Sequence, residues 1–199
     1  MSYFKKFFGH LKTTMTHKWW VFYYALHLGY PLRGLFHDMS KFSPVEFFEG
    51  VKYWDGKRSP VLAAKEDIGI SYAWLHHRGR NKHHYEYWID KLDDGGVPYK
   101  IPFKYVVEMV CDWFAAYRAY GHGKDYIFQK EYEWWEEKSK TAKIHESTKK
   151  LITSLFWNLC AYDMCYGSEK KALREFRKFL PGLKRSYEKE TNLLNLSAR

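Results

Sequence analysis

Residues 103–120, FKYVVEMVCDWFAAYRAY, carry the clearest structural signal in this chain. Apolar side chains recur there every three or four positions, which is the spacing of one face of an α-helix. The stripe on that face is Tyr105, Met109, Asp112, Ala116 and Tyr120, and only Asp112 is charged. We therefore predict a core helix over 103–120 that carries one carboxylate on an otherwise apolar face.

Helical periodicity extends outward from this segment in both directions. It predicts one or two helices over 2–28, then helices over 32–41, 43–53, 62–77 and 82–92, and charged amphipathic helices over 129–140, 144–165, 168–179 and 183–194. Ser43, Pro44 and Glu46 have the spacing of an N-cap, a first-turn proline and a capping-box glutamate. Residues 93–96, DDGG, predict a turn. Because alternating β patterns are nearly absent, the predicted fold is an all-α, single-domain helical bundle.

The composition indicates a globular protein of a reducing compartment. The 199 residues are 46% hydrophobic and 20% aromatic, which excludes a disordered chain. Three cysteines (Cys111, Cys160 and Cys165) are too few and too late in the chain for a disulfide framework. No secretory signal is recognisable, and the richest apolar run, over 19–36, is too short and too interrupted to span a bilayer. We expect a soluble cytoplasmic protein without a membrane span.

The charge balance indicates anionic partners. There are 33 Lys and Arg against 23 Asp and Glu, a net charge of +10. Such a surplus favours nucleotides, nucleic acid or a membrane surface. The C-terminal third mixes both signs along its helices, as solvated helix faces do, and shows no nucleic-acid-binding motif. Nucleic acid is therefore a possible partner but not the favoured one.

Eight of the ten histidines lie within the first 84 residues. Imidazoles and carboxylates together are the ligands that borderline divalent metals prefer. His37 and Asp38 are adjacent, and Lys41 follows three residues later, on the same side of a helix, where its charge could hold a phosphate oxygen. The alternative for this stretch is a solvated polar segment ahead of a capping box.

The densest histidine segment is residues 76–84, HHRGRNKHH. His76, His77, His83 and His84 surround Arg78 and Arg80, so the segment could hold both a metal and an anion. A solvated basic turn is the alternative. Asp112 would pair with a metal or, equally, with a Lys or Arg, because an unpaired buried carboxylate costs several kcal/mol.

In their order along a helical frame, these residues resemble the HD-domain superfamily of metal-dependent phosphohydrolases. That superfamily has a histidine on an early helix, a His-Asp pair, often further histidines, and a final aspartate on a later helix; His37-Asp38-Met39-Ser40-Lys41 is similar to its HD-x-x-K form. A closer resemblance is to a family of bacterial and phage proteins without an established activity. It covers about residues 10–120 and is carried by the stretches Leu35–Phe47, Gly50–Pro60, Ala73–Trp88 and Glu108–Ala116.

The resemblance implies His17, His37, Asp38 and Asp112 as the core metal ligands. The four histidines of 76–84 would then be ligands of a second metal or catalytic acids and bases, with His77 and His84 as the ligands. In the two-metal members these histidines lie further apart along the chain, so one or two ions (Mn²⁺, Fe²⁺, Co²⁺ or Mg²⁺) are expected. Residues 1–125 would form this metal-binding core, and the amphipathic helices of 126–199 would complete or cap the same domain. His27 we interpret as structural.

These residues suggest a phosphohydrolase mechanism. A metal-bound water would be oriented by Asp38, and His76 or His83 would protonate the leaving oxygen. The predicted phosphate-binding residues are Lys41, Arg78, Arg80, Asn81 and Lys82. Four aromatic residues beside them either stack on a nucleobase or belong to the core: Trp74, Tyr85, Tyr87 and Trp88. The expected substrate is a small phosphorylated molecule, preferably a nucleotide.

Two other functions use the same residues. A similar ligand set can hold two irons, and some HD proteins are oxygenases, so a di-iron oxygenase is the first alternative. A non-catalytic basic helical module that binds nucleic acid is the second. Glu46 could be a further carboxylate near the metal, although its capping-box position explains it adequately.

Overall fold

The computed structural model describes residues 1–90, 95–120 and 127–197, with side chains described as far as residue 190. In these residues the α-helices are α1 (Tyr3–His27), α2 (Pro31–Leu35), α3 (Pro44–Tyr53), α4 (Pro60–Ile68), α5 (Tyr72–Arg80), α6 (Phe103–Ala119), α7 (Ile127–Thr141), α8 (Glu146–Tyr166), α9 (Glu169–Phe176) and α10 (Leu180–Ser197). Strands β1 (Ile89–Asp90) and β2 (Val97–Pro98) form one short antiparallel pair. The prediction of an all-α helical bundle is confirmed.

The core is built around α6, the helix predicted from residues 103–120. Its apolar side chains are buried from Phe103 to Ala115, and α1 packs along it through Val21 and Tyr24. From the other side α8 contributes Phe156, whose ring stacks against Trp113 at 6.1 Å between centroids. Asp112 lies on the buried part of α6, as its place in the apolar stripe predicts.

Local signals fix several helix ends. Ser43 Oγ accepts a hydrogen bond from the Glu46 backbone N–H at 3.5 Å, and Pro44 occupies the first turn of α3, so the predicted N-cap is confirmed. The single helix predicted over 62–77 is wrong. Gly69 takes the left-handed conformation, with φ of 75°, and separates α4 from α5.

Two other predicted helices are wrong, and both corrections concern the segments that carry histidines. The helix over 32–41 stops at Leu35, because Asp38 is left-handed; a 3-10 turn, Met39–Phe42, follows. The helix over 82–92 is replaced by a 3-10 turn, Tyr85–Trp88, and by β1. Before this 3-10 turn, Asn81 and His84 are extended and enclose a turn at residues 82 and 83, so the chain leaves the helix at the adjacent histidines. Of the predicted turn at 93–96, the first two residues lie outside the described residues.

The C-terminal helices enclose the core from one side. Helix α9 buries Ala172, Leu173 and Phe176 against α8 and also contacts α1. Helix α10 is fastened by Tyr187, whose hydroxyl donates to the Ile101 carbonyl at 2.6 Å. In the part of the chain that the structure describes, no helix is both long and apolar enough to cross a bilayer.

Candidate metal centre

Buried histidines and carboxylates from four parts of the chain meet beside α6. Helix α1 supplies His17, and the break after α2 supplies His37 and Asp38. Helix α5 and the loop after it supply His77, His83 and His84, and α6 supplies Glu108 and Asp112. All are buried except His84, whose exposure is intermediate. So many titratable groups are not buried together unless they compensate one another or bind a cation.

The first group of four consists of His17, His37, Asp38 and Asp112. His17 Nε2 lies 2.9 Å from Asp112 Oδ1, and His37 Nε2 lies 3.2 Å from the same oxygen. Asp38 Oδ2 is 3.2 Å from His37 Nε2. One ligand atom of each residue lies within 4.8 Å of the others, so these atoms surround a volume that a single ion could occupy.

The second group consists of Asp38, His77, His83 and His84. Asp38 Oδ1 lies 3.3 Å from His77 Nε2 and 3.2 Å from His83 Nε2. These four residues also bring their ligand atoms within 4.8 Å of one another. Asp38 therefore turns one carboxylate oxygen toward each group, which is the arrangement of a carboxylate that bridges two sites. The four histidines of 76–84 are close in sequence, yet three of them converge on one point.

The backbone of Asp38 makes this division possible. Its φ of 52° is the one positive value at a non-glycine residue among the described residues. Aspartate and asparagine adopt this conformation more readily than other residues with a Cβ, since their short polar side chains can bond locally.

Several atoms of the centre that could bind a metal lack a hydrogen bond. In the described part of the chain these buried atoms are His17 Nε2, His37 Nε2, His83 Nε2, His84 Nε2 and both carboxylate oxygens of Asp38. They approach one another closely but without the alignment of a hydrogen bond, and of these atoms only Asp38 Oδ2 has an ion-pair partner outside the centre among the described residues, Lys41 Nζ at 2.6 Å. Buried polar atoms left unsatisfied in this way are costly, and imidazole nitrogens with carboxylate oxygens are the donors of divalent transition metals. The residues present therefore fit a metal ion.

Two glutamates hold the histidine rings from behind. Glu108 Oε1 lies 3.2 Å from His37 Nδ1 and 3.3 Å from His83 Nδ1. Glu46 binds His76 Nδ1 at 2.6 Å and His77 Nδ1 at 2.7 Å. Such carboxylates fix the ring orientation and leave Nε2 free for a metal. In addition, Glu108 forms a third possible ligand group with His37 and His83.

The sequence offered Glu46 as a further carboxylate near the metal, although its capping-box position explained it adequately, and it missed Glu108. Glu108 had a usable signal, because it lies one helical turn before Asp112 on the same face of α6. A second acid at that spacing in a buried helix indicates that the two carboxylates act on the same site.

The electrostatics of the centre are strongly coupled. Burial disfavours the carboxylate of Asp38, but its neighbours His37 and Lys41 outweigh burial and hold the pKa of Asp38 well below its ordinary value. Burial also opposes the charged form of His77, yet Asp38 and Glu46 raise the pKa of His77 to about 9. Burial and Lys41 lower the pKa of His17 to about 4. The carboxylates are therefore ionised at neutral pH. Binding of a metal ion would displace the protons of the histidines whose pKa these carboxylates raise.

A cavity of about 240 Å³ opens onto the centre. Its wall includes His17, Asp38, His77, His84 and Asp112. Further residues of the wall are His10, Thr13, Thr14, Lys41, Glu46, Glu49, Gly50, Ser59, Pro60, Val61, Ala73, Trp74, Ala116, Ala119 and Tyr120. Lys41 Nζ lies 2.6 Å from Asp38 Oδ2, so it can face both the centre and a molecule in the cavity. His10, which sequence reasoning did not single out, is also a wall residue.

The structure does not bring every predicted site residue to this cavity. Arg78, Arg80 and Lys82 are absent from its wall, so this geometry gives their predicted phosphate contact no support. Asn81 contacts neighbours of the centre and not the cavity itself. Its amide donates to Ser40 Oγ at 2.8 Å and to the His77 carbonyl at 2.9 Å. His76 lies behind Glu46.

The flanking aromatic residues and His27 have distinct places. Trp74 lines the cavity, with its ring 5.0 Å from that of His84. Tyr85 and Trp88 pack against the hydrophobic core, whereas Tyr87 is exposed. His27 bonds the Tyr23 carbonyl through Nδ1 at 2.8 Å, away from the centre.

Comparison with known proteins places the chain in a family. No curated protein and no solved structure matches it. Residues 6–158 match the family of unknown function DUF5662. The match covers most of the chain and includes every residue of the centre. The chain belongs to this family.

Proposed function

We propose that this protein is a metal-dependent phosphohydrolase, which uses one or two divalent ions to hydrolyse a small phosphorylated substrate, preferably a nucleotide. One observation carries the proposal. Two groups of ligand residues, most of them with a buried atom that lacks a hydrogen bond, share Asp38 beside a cavity whose wall includes Lys41. A divalent ion in such a place acts as a Lewis acid and lowers the pKa of a bound water.

The residues of the chain then have separate tasks. Asp38 and Asp112 hold negative charge at the centre, and Glu108 fixes the rings of His37 and His83. Lys41 presents a cation to the phosphoryl oxygens from the cavity wall. Neither predicted proton donor lies on the cavity wall, because His83 faces Asp38 inside the cluster and His76 lies behind Glu46.

The size of the cavity limits the substrate. At about 240 Å³ it is smaller than the pockets of about 300–1,000 Å³ that enclose drug-sized ligands. A phosphate group with its sugar is therefore the part that we expect to enter. Trp74 lies on the wall, where its ring can contact the rest of the substrate.

One observation favours a second candidate, a di-iron oxygenase. Among the described residues, Lys41 is the only Lys or Arg of the cavity wall, which also contains Glu46 and Glu49. A site for a multiply charged phosphate usually has several cations. A small organic substrate with little charge would suit this wall, with the same histidines and carboxylates holding two irons.

Metal content per chain tests the shared basis of both candidates. The protein is purified without chelator or affinity-tag nickel and analysed by elemental analysis, beside Asp38→Asn and His17→Ala. His27→Ala is the matched control, because it removes a histidine from the same helix outside the centre. We expect one or two equivalents of metal in the wild type and in His27→Ala, and a loss in the other two variants with helical content unchanged.

Activity assays then separate the candidates. Phosphate release from a nucleotide panel that is lost in Asp38→Asn supports the hydrolase. Oxygen uptake by the iron-loaded protein without phosphate release overturns the hydrolase in favour of the oxygenase. Absence of metal after addition of Mn²⁺ or Fe²⁺ overturns both, and DNA binding that falls steeply with salt would then identify a basic binding module.

A further inference from the structure

Helix α1 presents a continuous apolar face to solvent. The exposed fractions of the side chains on this outer stripe are 74% for Phe4, 63% for Phe8, 51% for Met15, 63% for Trp19 and 42% for Leu26. Their spacings of four and seven residues place them on one side of the helix. With a rise of about 1.5 Å per residue, the stripe is about 33 Å long.

The outer stripe is separate from both the core and the metal centre. The side of α1 that faces the protein carries Thr14, His17, Val21 and Tyr24, all buried. Exposed large apolar groups of this size are uncommon on a monomer unless they contact a partner or a membrane.

Helix α2 enlarges the apolar surface beside the outer stripe. Gly34 seats α2 against Phe22 and Ala25 of α1. The neighbouring side chains of Leu32, Leu35 and Phe36 are exposed by 69%, 53% and 66%. The surface therefore extends sideways from α1 and is wider than one helix.

The two helices that form this surface carry no negative charge. The first 37 residues contain no Asp or Glu, whereas they contain Lys5, Lys6, Lys12, Lys18 and Arg33. Lys5 and Lys12 are exposed at the edge of the outer stripe. An amphipathic helix with only basic charges is typical of segments that lie on anionic lipid surfaces.

A basic cavity adjoins the C-terminal end of the outer stripe. It has a volume of about 490 Å³ and is lined by Leu26, His27, Ser168, Lys170, Lys171, Arg174 and Arg177. Its four Lys and Arg side chains are all exposed. Among the described residues, only Arg174 of these four forms an ion pair, with Glu175. Leu26 belongs to both features, so the apolar stripe leads directly into a group of cations.

We propose that the outer stripe and the basic cavity dock this chain on an anionic lipid bilayer, with α1 in the plane of the interface. The apolar rings enter the boundary between headgroups and acyl chains, and the four cations of the cavity bind lipid phosphates or carboxylates. A second copy of the chain would fit the outer stripe less well than a bilayer. An α1 packed on another α1 would bring lysines together without a carboxylate to pair with them.

Vesicle co-sedimentation of the full chain tests the proposal. The vesicles contain phosphatidylcholine alone or with 30% phosphatidylserine. We expect binding to the anionic vesicles that is at least tenfold stronger than to the neutral ones and that weakens in 0.5 M NaCl, since salt screens surface charge. Phe8→Ser with Trp19→Ser should reduce this binding at least tenfold while metal content and helical content stay unchanged.

Two matched controls distinguish binding through this surface from nonspecific binding to vesicles. Trp157→Ser removes another exposed tryptophan, 58% accessible, from α8. Lys170→Gln with Lys171→Gln removes the same charge as Lys130→Gln with Lys140→Gln, which lie on α7. We expect the 170/171 pair to lower binding about tenfold or more and the other two variants to leave it nearly unchanged, because each cation near the surface contributes about a fivefold factor.

Three results would overturn the proposal. The first is equal binding to neutral and anionic vesicles, or none to either. The second is an equal loss in Trp157→Ser and in the stripe variant. The third is self-association in sedimentation velocity that disappears in the stripe variant while vesicles have no effect, which would assign the surface to a second copy.

Discussion

Asp38 combines two properties that a substitution can separate, its charge and its left-handed backbone. Asparagine retains the backbone preference and loses the charge, whereas alanine loses both. We expect both variants to lose metal. In the presence of chelator, Asp38→Ala should be less stable than Asp38→Asn by about 1 kcal/mol, since a left-handed residue with a simple Cβ costs about 1–2 kcal/mol.

Urea unfolding of the two variants in the presence of chelator measures this difference in stability. Equal midpoints with equal slopes would show that the left-handed conformation at position 38 carries no energetic cost. Loss of metal from Asp38→Ala but not from Asp38→Asn would show that the charge of Asp38 is dispensable for metal binding.

At the scale of single residues, the structure brings together the residues that the resemblance names as ligands, whereas their roles stay predictions. The ligand atoms of His17, His37, Asp38, His77, His84 and Asp112 fall into two groups that share Asp38. Glu108 was missed, and Glu46 was considered only as a further carboxylate near the metal, because a carboxylate that holds a ring from behind is defined by tertiary contact. The arginines of 76–84 were placed beside the histidines in sequence, but α5 directs them away from the cavity.

At the scale of the elements, the contact between α1 and α2 depends on a glycine without a side chain. A Cβ at Gly34 would lie 2.7 Å from Phe22 Cα and 2.8 Å from Ala25 Cβ. Because one of these atoms is backbone, the helices must separate to accept it. We expect Gly34→Ala to lower the free energy of unfolding by about 2 kcal/mol, within the range for an overpacked site.

Gly79→Ala is the matched control for this prediction. Gly79 lies in α5, and an added Cβ would meet nothing within 4 Å. Alanine there should be neutral or stabilise by about 0.5–1 kcal/mol, since it favours the helix. Equal stability of the two variants in urea unfolding would contradict the close contact of α1 and α2.

Helix α7 carries a buried acid with an unusual titration. Burial, aided by the charge of Asp112, raises the pKa of Glu131 to about 8. A carboxyl group whose pKa is higher in the folded than in the unfolded chain binds more protons when folded, so its contribution to stability falls as the pH rises from about 4.5 to about 8. Glu131→Gln should therefore stabilise the protein by about 1–3 kcal/mol at pH 8.5 and change little at pH 4.5.

Unfolding of wild type and variant at both pH values gives this difference directly. Glu137→Gln on the same helix is the control, because its side chain is 76% exposed. A stabilisation by Glu131→Gln that is the same at both pH values would contradict a titration of Glu131 in this range.

Helix periodicity accounts for most of the elements, and the failures have a common cause. Helices α1, α3, α6, α7, α8 and α9 follow from apolar spacing and caps. The segments over 32–41 and 82–92 have helical composition but leave the helix where His37, Asp38, His83 and His84 turn to the centre. Tertiary contacts determine the backbone conformation of these two segments, and such contacts cannot be read from the local sequence pattern.

At the scale of the whole molecule, a metal ion would connect α1, α2, α5 and α6. Binding to the folded state alone adds about 2.7 kcal/mol when the free ion is at 100 times its dissociation constant. For a chain of this size the expected rise in Tm is roughly 5–10 °C. Calorimetry with Mn²⁺ and with chelator should show this rise in the wild type and in His27→Ala, but not in His17→Ala. A rise that persists in His17→Ala would place the ion elsewhere.

The spacing of the ligands along the chain also sets an order of events during synthesis. Four histidines lie within residues 76–84, and the segment leaves the ribosome 28 residues before Asp112. Short loops close at low entropic cost, so these histidines can capture an ion while the chain is still unfolded. His17 and Asp112, 95 residues apart, meet only after α1 and α6 have packed. An ion captured in this way would meet the nitrogen donors of the 76–84 segment first and Asp112 last, once the core has formed.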